Sequence, residues 1–341
     1  MKRFFVCCLV MVLLMTTGCG KVNNIQIFST VDTAMGTVIS QTIYTEGQYN
    51  TGLEVLQTIR DLENDLLSRR IESSEVYRVN HGAQGEEVLL SEELAVILEQ
   101  SLSLWEKSEG AFDVTLGPLI EVWDIDSLAA GEHVEEFTVP TAETLRETKE
   151  RCGSEHITLT REENEVTLSL QDNVTIDLGA VGKGVALDAV HDLLLRRTDV
   201  TAAVISAGGS ILTYGRKPDG SAWKVGIVDP EDTSSTKGIL TIKGTMCVST
   251  SGDYERFVEI DGKRYHHILD PKTGYPAEGD VRSVTILSEN GFESDALSTA
   301  CFVLGVEKGL NLLSEYDAEG LFILRDGSVK MTEGMKKYYE P

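Results

Sequence analysis

The stretch Thr175-Ile176-Asp177-Leu178-Gly179-Ala180-Val181-Gly182-Lys183-Gly184-Val185-Ala186-Leu187-Asp188 constrains this chain more than any other. Asn173 to Ile176 reads as a short β-type run closed by Asp177, with glycines just beyond. Val181, Val185, Ala189 and Leu193 then recur at helical spacing, and Arg196 and Arg197 stand where a helix C-terminus favours cations. The pattern is strand, glycine-rich turn, helix. Such a turn aims backbone N–H groups and the positive end of a helix at one point, which suits a phosphate, and Lys183 adds a full charge. A tight turn with a solvated lysine reads equally well from this stretch alone. A Walker A loop would need Gly in place of Asp177 and Ser or Thr in place of Gly184, and the glycine order is not the Rossmann G-x-G-x-x-G.

Charge sharpens the question. A formal net charge of −25 argues against nucleic acid or an anionic lipid surface as a partner. Any phosphate ligand would need a local cation, either a metal ion or lysine and arginine. The 41% hydrophobic content is ample for a core.

The first residues read as an export signal. Lys2 and Arg3 precede the apolar run Phe4 to Met15, which is too short to span a bilayer as a mature helix. Thr16-Thr17-Gly18-Cys19 resembles a bacterial lipobox with Cys19 as the acylated residue, although Thr16 stands where leucine is usual. Cleavage at an ordinary small-residue site is the alternative. The expected organisation is a signal over 1–18, a lipidated tether over 19–25 and a single folded domain over 26–341, on the extracytoplasmic side of the cell membrane. No later stretch reads as long or apolar enough to cross a bilayer. Cys152, Cys247 and Cys301 are odd in number with no C-x-x-C spacing, so buried free thiols are expected rather than disulfides or zinc.

Along the chain, Gln26 to Thr45 reads as two strands interrupted by a bulge or close backbone approach at Thr33 to Thr37. Leu53, Leu56, Ile59, Leu62 and Leu66 mark an amphipathic helix. Ser91, followed by Glu92 and Glu93, caps a second helix through Leu94, Leu98, Leu102 and Trp105. Asp124 to Glu136 reads as an exposed loop, and Ile157–Leu159 with Val166–Leu170 as a hairpin. Strands follow at Ala202–Ile205, Trp223–Val228, Gly238–Ile242, Met246–Thr250 and Tyr254–Ile260, with Ser251-Gly252-Asp253 as a turn. Val281–Leu287 and Leu321–Leu324 are further strands. Between them a helix starts at Ser294 or Asp295 and stops at Gly305, with another around Leu310–Leu313.

Two constellations could carry chemistry. Asp295 and Thr299 fall one turn apart on a helix face, and their oxygens suit Mg²⁺ or Ca²⁺; the simpler reading is that Asp295 caps the helix and Thr299 packs. His267 could act as a general base, or be a loop histidine clipped to Asp270. There is no G-x-S-x-G nucleophile elbow.

Seven blocks in register resemble the ApbE family of FAD:protein FMN transferases over nearly all of the mature sequence. They are Thr33-Ala34-Met35-Gly36-Thr37, Ala111-Phe112-Asp113-Val114-Thr115 with Gly117-Pro118-Leu119, and Asp177 to Gly184. Ala207-Gly208-Gly209, Ser249 to Arg256, His267 to Gly274 and Asp295 to Ala300 complete the set. Two positions depart: Ser210 stands where asparagine is frequent after the paired glycines, and Gly182 where many members have alanine.

The resemblance implies an α+β fold, a single T-fold-related catalytic domain with mixed or antiparallel sheets and flanking helices. It implies FAD as substrate and Mg²⁺ as cofactor, with transfer of FMN to a threonine hydroxyl of an exported flavoprotein and release of AMP. The implied acceptor is a subunit of a membrane redox pump or an extracellular reductase. By matching position, the metal ligands would be Asp295, Thr299 and the Ala180 carbonyl. Met35, Ala111, Phe112, Asp113, Asp177, Lys183 and Leu269 would contact the flavin nucleotide, and His267 with Asp270 would serve catalysis. FAD hydrolysis to FMN and AMP, or flavin binding without catalysis, are the alternatives.

Overall fold

Eight strands of the computed structural model form one sheet in which every strand lies beside its neighbour in sequence order. They are β1 (Gln26–Ala34), β2 (Thr37–Thr45), β3 (Val200–Ala207) and β4 (Ser210–Gly215), then β5 (Met246–Gly252), β6 (Val281–Ser288), β7 (Ala318–Leu324) and β8 (Val329–Met331). Every pairing in it is antiparallel. The structure describes residues 25–47, 50–82, 84–130, 132, 137–163 and 165–341, so the signal, Cys19 and nearly all of the tether lie outside it.

Alternation builds the sheet: in β2, Ile39 and Ile43 are buried while Val38 on the opposite face is exposed. Two smaller sheets accompany it, one joining Trp223–Val228, Thr236–Ile242 and Tyr339–Glu340, the other Val88–Leu89, Ile157–Glu162 and Glu165–Leu170. Phe257–Ile260 and Lys263–His266 form a separate hairpin. The principal helices are α1 (Asn50–Leu62), α2 (Glu92–Lys107), α3 (Gly182–Leu195) and α4 (Gly291–Leu313). The expected α+β class, with antiparallel sheets and flanking helices, is what is found.

Several expectations change. The interruption at Thr33–Thr37 is a two-residue hairpin turn, not a bulge: Ala34 pairs with Thr37, and Met35 and Gly36 have φ of 52° and 65°. Asn173–Ile176 joins no ladder. Its backbone is satisfied by a side chain instead, with Ile176 N–H donating to Asn80 Oδ1 at 2.7 Å and Asn80 Nδ2 donating to the Ile176 carbonyl at 2.8 Å. The buried face of α3 is Ala186, Leu187, Val190 and Leu194, not the Val185–Ala189–Leu193 row. Leu53 of α1 is exposed, and Val55 takes its place in the core.

The acidic stretch after Trp123 is not simply a loop, because Ile125–Ala129 is helical and buries Ile125 and Leu128. Ser251 and Gly252 continue β5, and the turn falls on Asp253 to Arg256. Ser91 does cap α2, accepting from Leu94 N–H at 3.2 Å. Cys247 and Cys301 are buried free thiols; Cys152 is free but only half-buried.

Helix α4 begins at Gly291, earlier than expected, with Asn290 as its cap accepting from Glu293 N–H at 2.8 Å. Asp295 therefore lies inside the helix and is not its cap. Gly305 interrupts it with φ of 76°. By length and composition α4 alone among the described helices could cross a membrane, contrary to the sequence reading; here it packs against α3, β5, β6 and β7, and its apolarity is that of a core helix.

Candidate active site

The sheet ends, the α3 N-terminus and the loop after α2 enclose a cavity of about 1050 Å³. Ligand sites usually occupy roughly 300–1,000 Å³, so this one has room for a dinucleotide. Met35, Ala111, Phe112, Asp113, Asp177, Lys183 and Leu269 all line it, as do Ala180, Asp295, Thr299 and His267. Asp270 does not.

The α3 turn brings a lysine and a carboxylate together at the cavity. Val181, which has no capping side chain, precedes Gly182, Lys183 and Gly184 in the first turn. Asp295 Oδ2 accepts the Gly184 N–H at 2.9 Å and lies 3.5 Å from Lys183 Nζ, while Ser210 Oγ donates to Oδ1 at 3.1 Å. Ser210, one of the two departures, thus orients the candidate metal carboxylate. Thr299 Oγ1 is 3.2 Å from Ser251 Oγ. Gly184 could be nothing else: a Cβ there would stand 2.2 Å from the Gly291 carbonyl oxygen. A Cβ on Gly182 would meet only the flexible end of Met35, at 3.2 Å, and Leu67.

The other acidic residues are already partnered. Asp177 Oδ2 pairs with Arg69 Nε at 2.6 Å, and Oδ1 accepts Gly179 N–H at 2.8 Å. Asp113 accepts from Thr115 N–H, Thr115 Oγ1 and Ser154 Oγ at 2.8, 2.6 and 2.8 Å, and so ties its loop to Ser154. Burial holds its carboxyl above the usual range despite those bonds.

His267 Nδ1–H donates to the Arg256 carbonyl at 3.3 Å, which leaves Nε2 as the basic nitrogen. The clip is therefore to Arg256, while Asp270 accepts Lys272 N–H at 2.9 Å within its own turn. Burial first, and the Arg256 charge second, push His267 down to about 3. His266 is buried and bonds through Nε2 to the Ala277 carbonyl at 3.0 Å.

Several cavity residues escaped the sequence reading. Arg69 and Arg70 line it, and their adjacency just beyond an amphipathic helix was the available signal. Glu63 opens a π-helical turn at the end of α1 and accepts Met35 N–H at 2.7 Å, holding the hairpin tip. Glu255 also lines the cavity; burial raises its carboxyl, opposed by Lys183 and Arg256. Ile211, Val225, Ile227 and Val248 supply an apolar wall. Trp123 Nε1–H donates to the Gly274 carbonyl at 2.8 Å and pins the His267–Gly274 loop.

An antiparallel α+β scaffold with a glycine-tight helix N-terminus, a lysine and an apolar wall around one large cavity defines a protein with room for a bulky ligand. Comparison with known proteins makes the class particular. The chain belongs to the ApbE family, whose family model matches residues 35–322. It is 33% identical to the FAD:protein FMN transferase of Treponema pallidum, over 96% of this chain and 92% of that protein. A Klebsiella pneumoniae protein of the same name is 32% identical over 94% of this chain and 95% of its own length. Among solved structures, the Thermotoga maritima ApbE protein superposes with a TM-score of 0.82 at 30% identity, covering 93% of this chain and 100% of that one. The Pseudomonas stutzeri flavinyl transferase ApbE, in its apo form, gives 0.78 at 29% identity, with 92% and 97% covered.

Proposed function

We propose that the protein is an FAD:protein FMN transferase that joins FMN to a threonine hydroxyl of an exported flavoprotein and releases AMP. The observation that carries this reading is the convergence on one cavity of Lys183, Asp295, Thr299 and Ala180 with Met35 and the Ala111–Asp113 loop. Relatives bearing that name over almost the whole chain support it.

The donor set fits a hard cation: a carboxylate, a hydroxyl and a backbone carbonyl are all oxygen ligands. Among the described residues no cluster of three or more His, Cys, Asp or Glu side chains could hold an ion unaided. Mg²⁺ suits such a half-site, because it is commonly completed by water and substrate phosphates. When bound it would neutralise charge growing on the pyrophosphate and the departing AMP.

The chain's own groups do the rest. Lys183, at the α3 N-terminus, would meet the phosphates, and the apolar wall would hold a ring system away from water. The threonine oxygen attacks the FMN-side phosphorus, the P–O bond to AMP breaks, and the hydroxyl proton passes to a base. His267 Nε2 is that base in this reading, with Asp270 shaping the turn that follows it. We also assign Cys19 as the lipidated residue that tethers the protein outside the cytoplasm, with the acceptor a redox-pump or extracellular reductase subunit.

Incubation with FAD, Mg²⁺ and a candidate acceptor tests the reading by mass spectrometry. A threonine gaining one FMN, with AMP released in equal amount, is expected. Free FMN and AMP without an adduct would make the protein a pyrophosphatase. FAD bound and unchanged would make it a flavin carrier. Failure of Cys19→Ser to leave the membrane fraction would remove the tether.

A further inference from the structure

Helices α3 and α4 exchange carboxylates through a local two-fold arrangement. Each carries a G-x-x-x-D sequence, Gly184 to Asp188 and Gly291 to Asp295. The Gly184 N–H donates to Asp295, and the Gly291 N–H donates to Asp188 Oδ1 at 2.6 Å. The Phe292 N–H donates to the second oxygen, Asp188 Oδ2, at 2.8 Å. The two glycines touch: a Cβ on Gly291 would lie 2.3 Å from the Gly184 carbonyl oxygen.

Resting on the transferase reading, we propose that Asp188 is a positioning residue that sets where the Asp295 carboxylate stands and hence the affinity of the site for a divalent cation. Asp188 does not line the cavity, so it acts only through its neighbour. Its two oxygens take consecutive N–H groups of the first turn of α4, which fixes both the rotation and the axial position of that helix. Asp295 lies one turn further along the same rigid element, so any slip at Gly291 is carried to it. Helix capping alone does not account for Asp188. Asn290 already caps α4 at Glu293 N–H, and Asp188 adds the two bonds that tie α4 to α3.

The test compares Asp188→Asn with Asn290→Ala in the mature protein. Asparagine keeps one acceptor but turns an NH₂ group against the second N–H. Mn²⁺ affinity in the presence of FAD, read by electron paramagnetic resonance, is expected to fall about 10–100-fold in Asp188→Asn, the usual effect of losing an outer partner of a metal ligand. FAD binding without metal is expected to stay within about threefold of wild type, since outer partners act on the metal. Hydrogen exchange at the Gly184 amide, which needs neither metal nor flavin, is expected to speed up at least tenfold as Asp295 moves off it. Asn290→Ala is expected to lower the melting temperature and leave Mn²⁺ affinity unchanged. Should Asp188→Asn not fold, Asp188→Glu, with both acceptors set one methylene further out, is expected to show the same split.

Equal loss of Mn²⁺ affinity in Asp188→Asn and Asn290→Ala would reduce Asp188 to a helix stabiliser and overturn the proposal. So would unchanged Mn²⁺ affinity in Asp188→Asn. If the wild-type protein binds no Mn²⁺ beside FAD, the transferase reading is what fails, and positioning is then decided by Gly184 exchange: faster in Asp188→Asn upholds it, unchanged overturns it.

Discussion

The Gly184 amide donates to Asp295 Oδ2 at 2.9 Å, so the α3 N-terminus at the cavity and the carboxylate proposed for the metal are one bonded unit. A side chain at Gly184 would stand 2.2 Å from the Gly291 carbonyl oxygen and 2.8 Å from Asp295 Cβ. Neither backbone can yield without parting the helices. Gly184→Ala is therefore expected to cost about 1–3 kcal/mol or more, as overpacking does. It should lower the melting temperature and abolish the rise that saturating FAD produces in the wild type. Gly182→Ala, which meets only the end of Met35 and Leu67, is expected to change both by little, and equal damage from the two would refute this account of the crossing.

Asp295 is a buried acceptor inside α4, and its removal costs more than the loss of a cap. Asp295→Ala would leave the Gly184 N–H and Ser210 Oγ without their partner, about 1–3 kcal/mol of instability unrelated to metal. Asp295→Asn keeps an acceptor and removes the charge. It is expected to melt within a few degrees of wild type while losing more than about 100-fold in Mg²⁺-dependent turnover, beyond the 10–100-fold typical of a residue that only supports a ligand. Wild-type turnover in Asp295→Asn with metal supplied would remove it from the metal site.

How legible the site was depended on whether a residue's role is local. Asp177, Lys183, Asp295 and Thr299 sit in short blocks that the family resemblance picks out, and all four reach the cavity. Asp188 and Gly291 were not legible, because their meaning lies in a contact between helices 103 residues apart in sequence. Strands read from sequence match the structure best where burial alternates, as in Trp223–Val228. They failed at Asn173–Ile176, where the Asn80 side chain replaces a neighbouring strand, which no pattern within that segment could reveal. The α3 face was misread because both apolar rows fit a helix and only packing chooses between them.

Arg69 is the largest omission with an energetic consequence. It bridges Asp177 at 2.6 Å and Glu121 at 2.7 Å, and its side chain and that of Asp177 are 14% and 13% exposed. Breaking a buried pair by removing one partner costs about 3–5 kcal/mol, and partial exposure lowers that here. Arg69→Met is expected to lower the melting temperature, and restoring charge balance with Asp177→Asn in the same chain is expected to recover part of it. A double variant no more stable than Arg69→Met would show that the pair is not coupled.

His267 stands near 3 rather than its ordinary 6.5, chiefly through burial. Its folded value lies below its unfolded value, so the unfolded chain takes up the proton first. The stability given by neutral His267 is complete above about 6.5 and is lost as pH falls toward 3. His267→Gln is expected to lose less melting temperature than wild type between pH 7 and 5. For the rate, a base already neutral at pH 6 imposes no acid limb there, so wild-type kcat/KM, which reports the free enzyme, should hold to below about pH 5 with respect to His267. General-base help is worth roughly 10²–10⁴-fold, and His267→Gln should lose turnover in that range with FAD binding retained. The counter-candidate is Glu255, which lines the same cavity and whose carboxyl burial raises. An acid limb that vanishes in Glu255→Gln, with His267→Gln still active, would move the proton from the histidine to the glutamate.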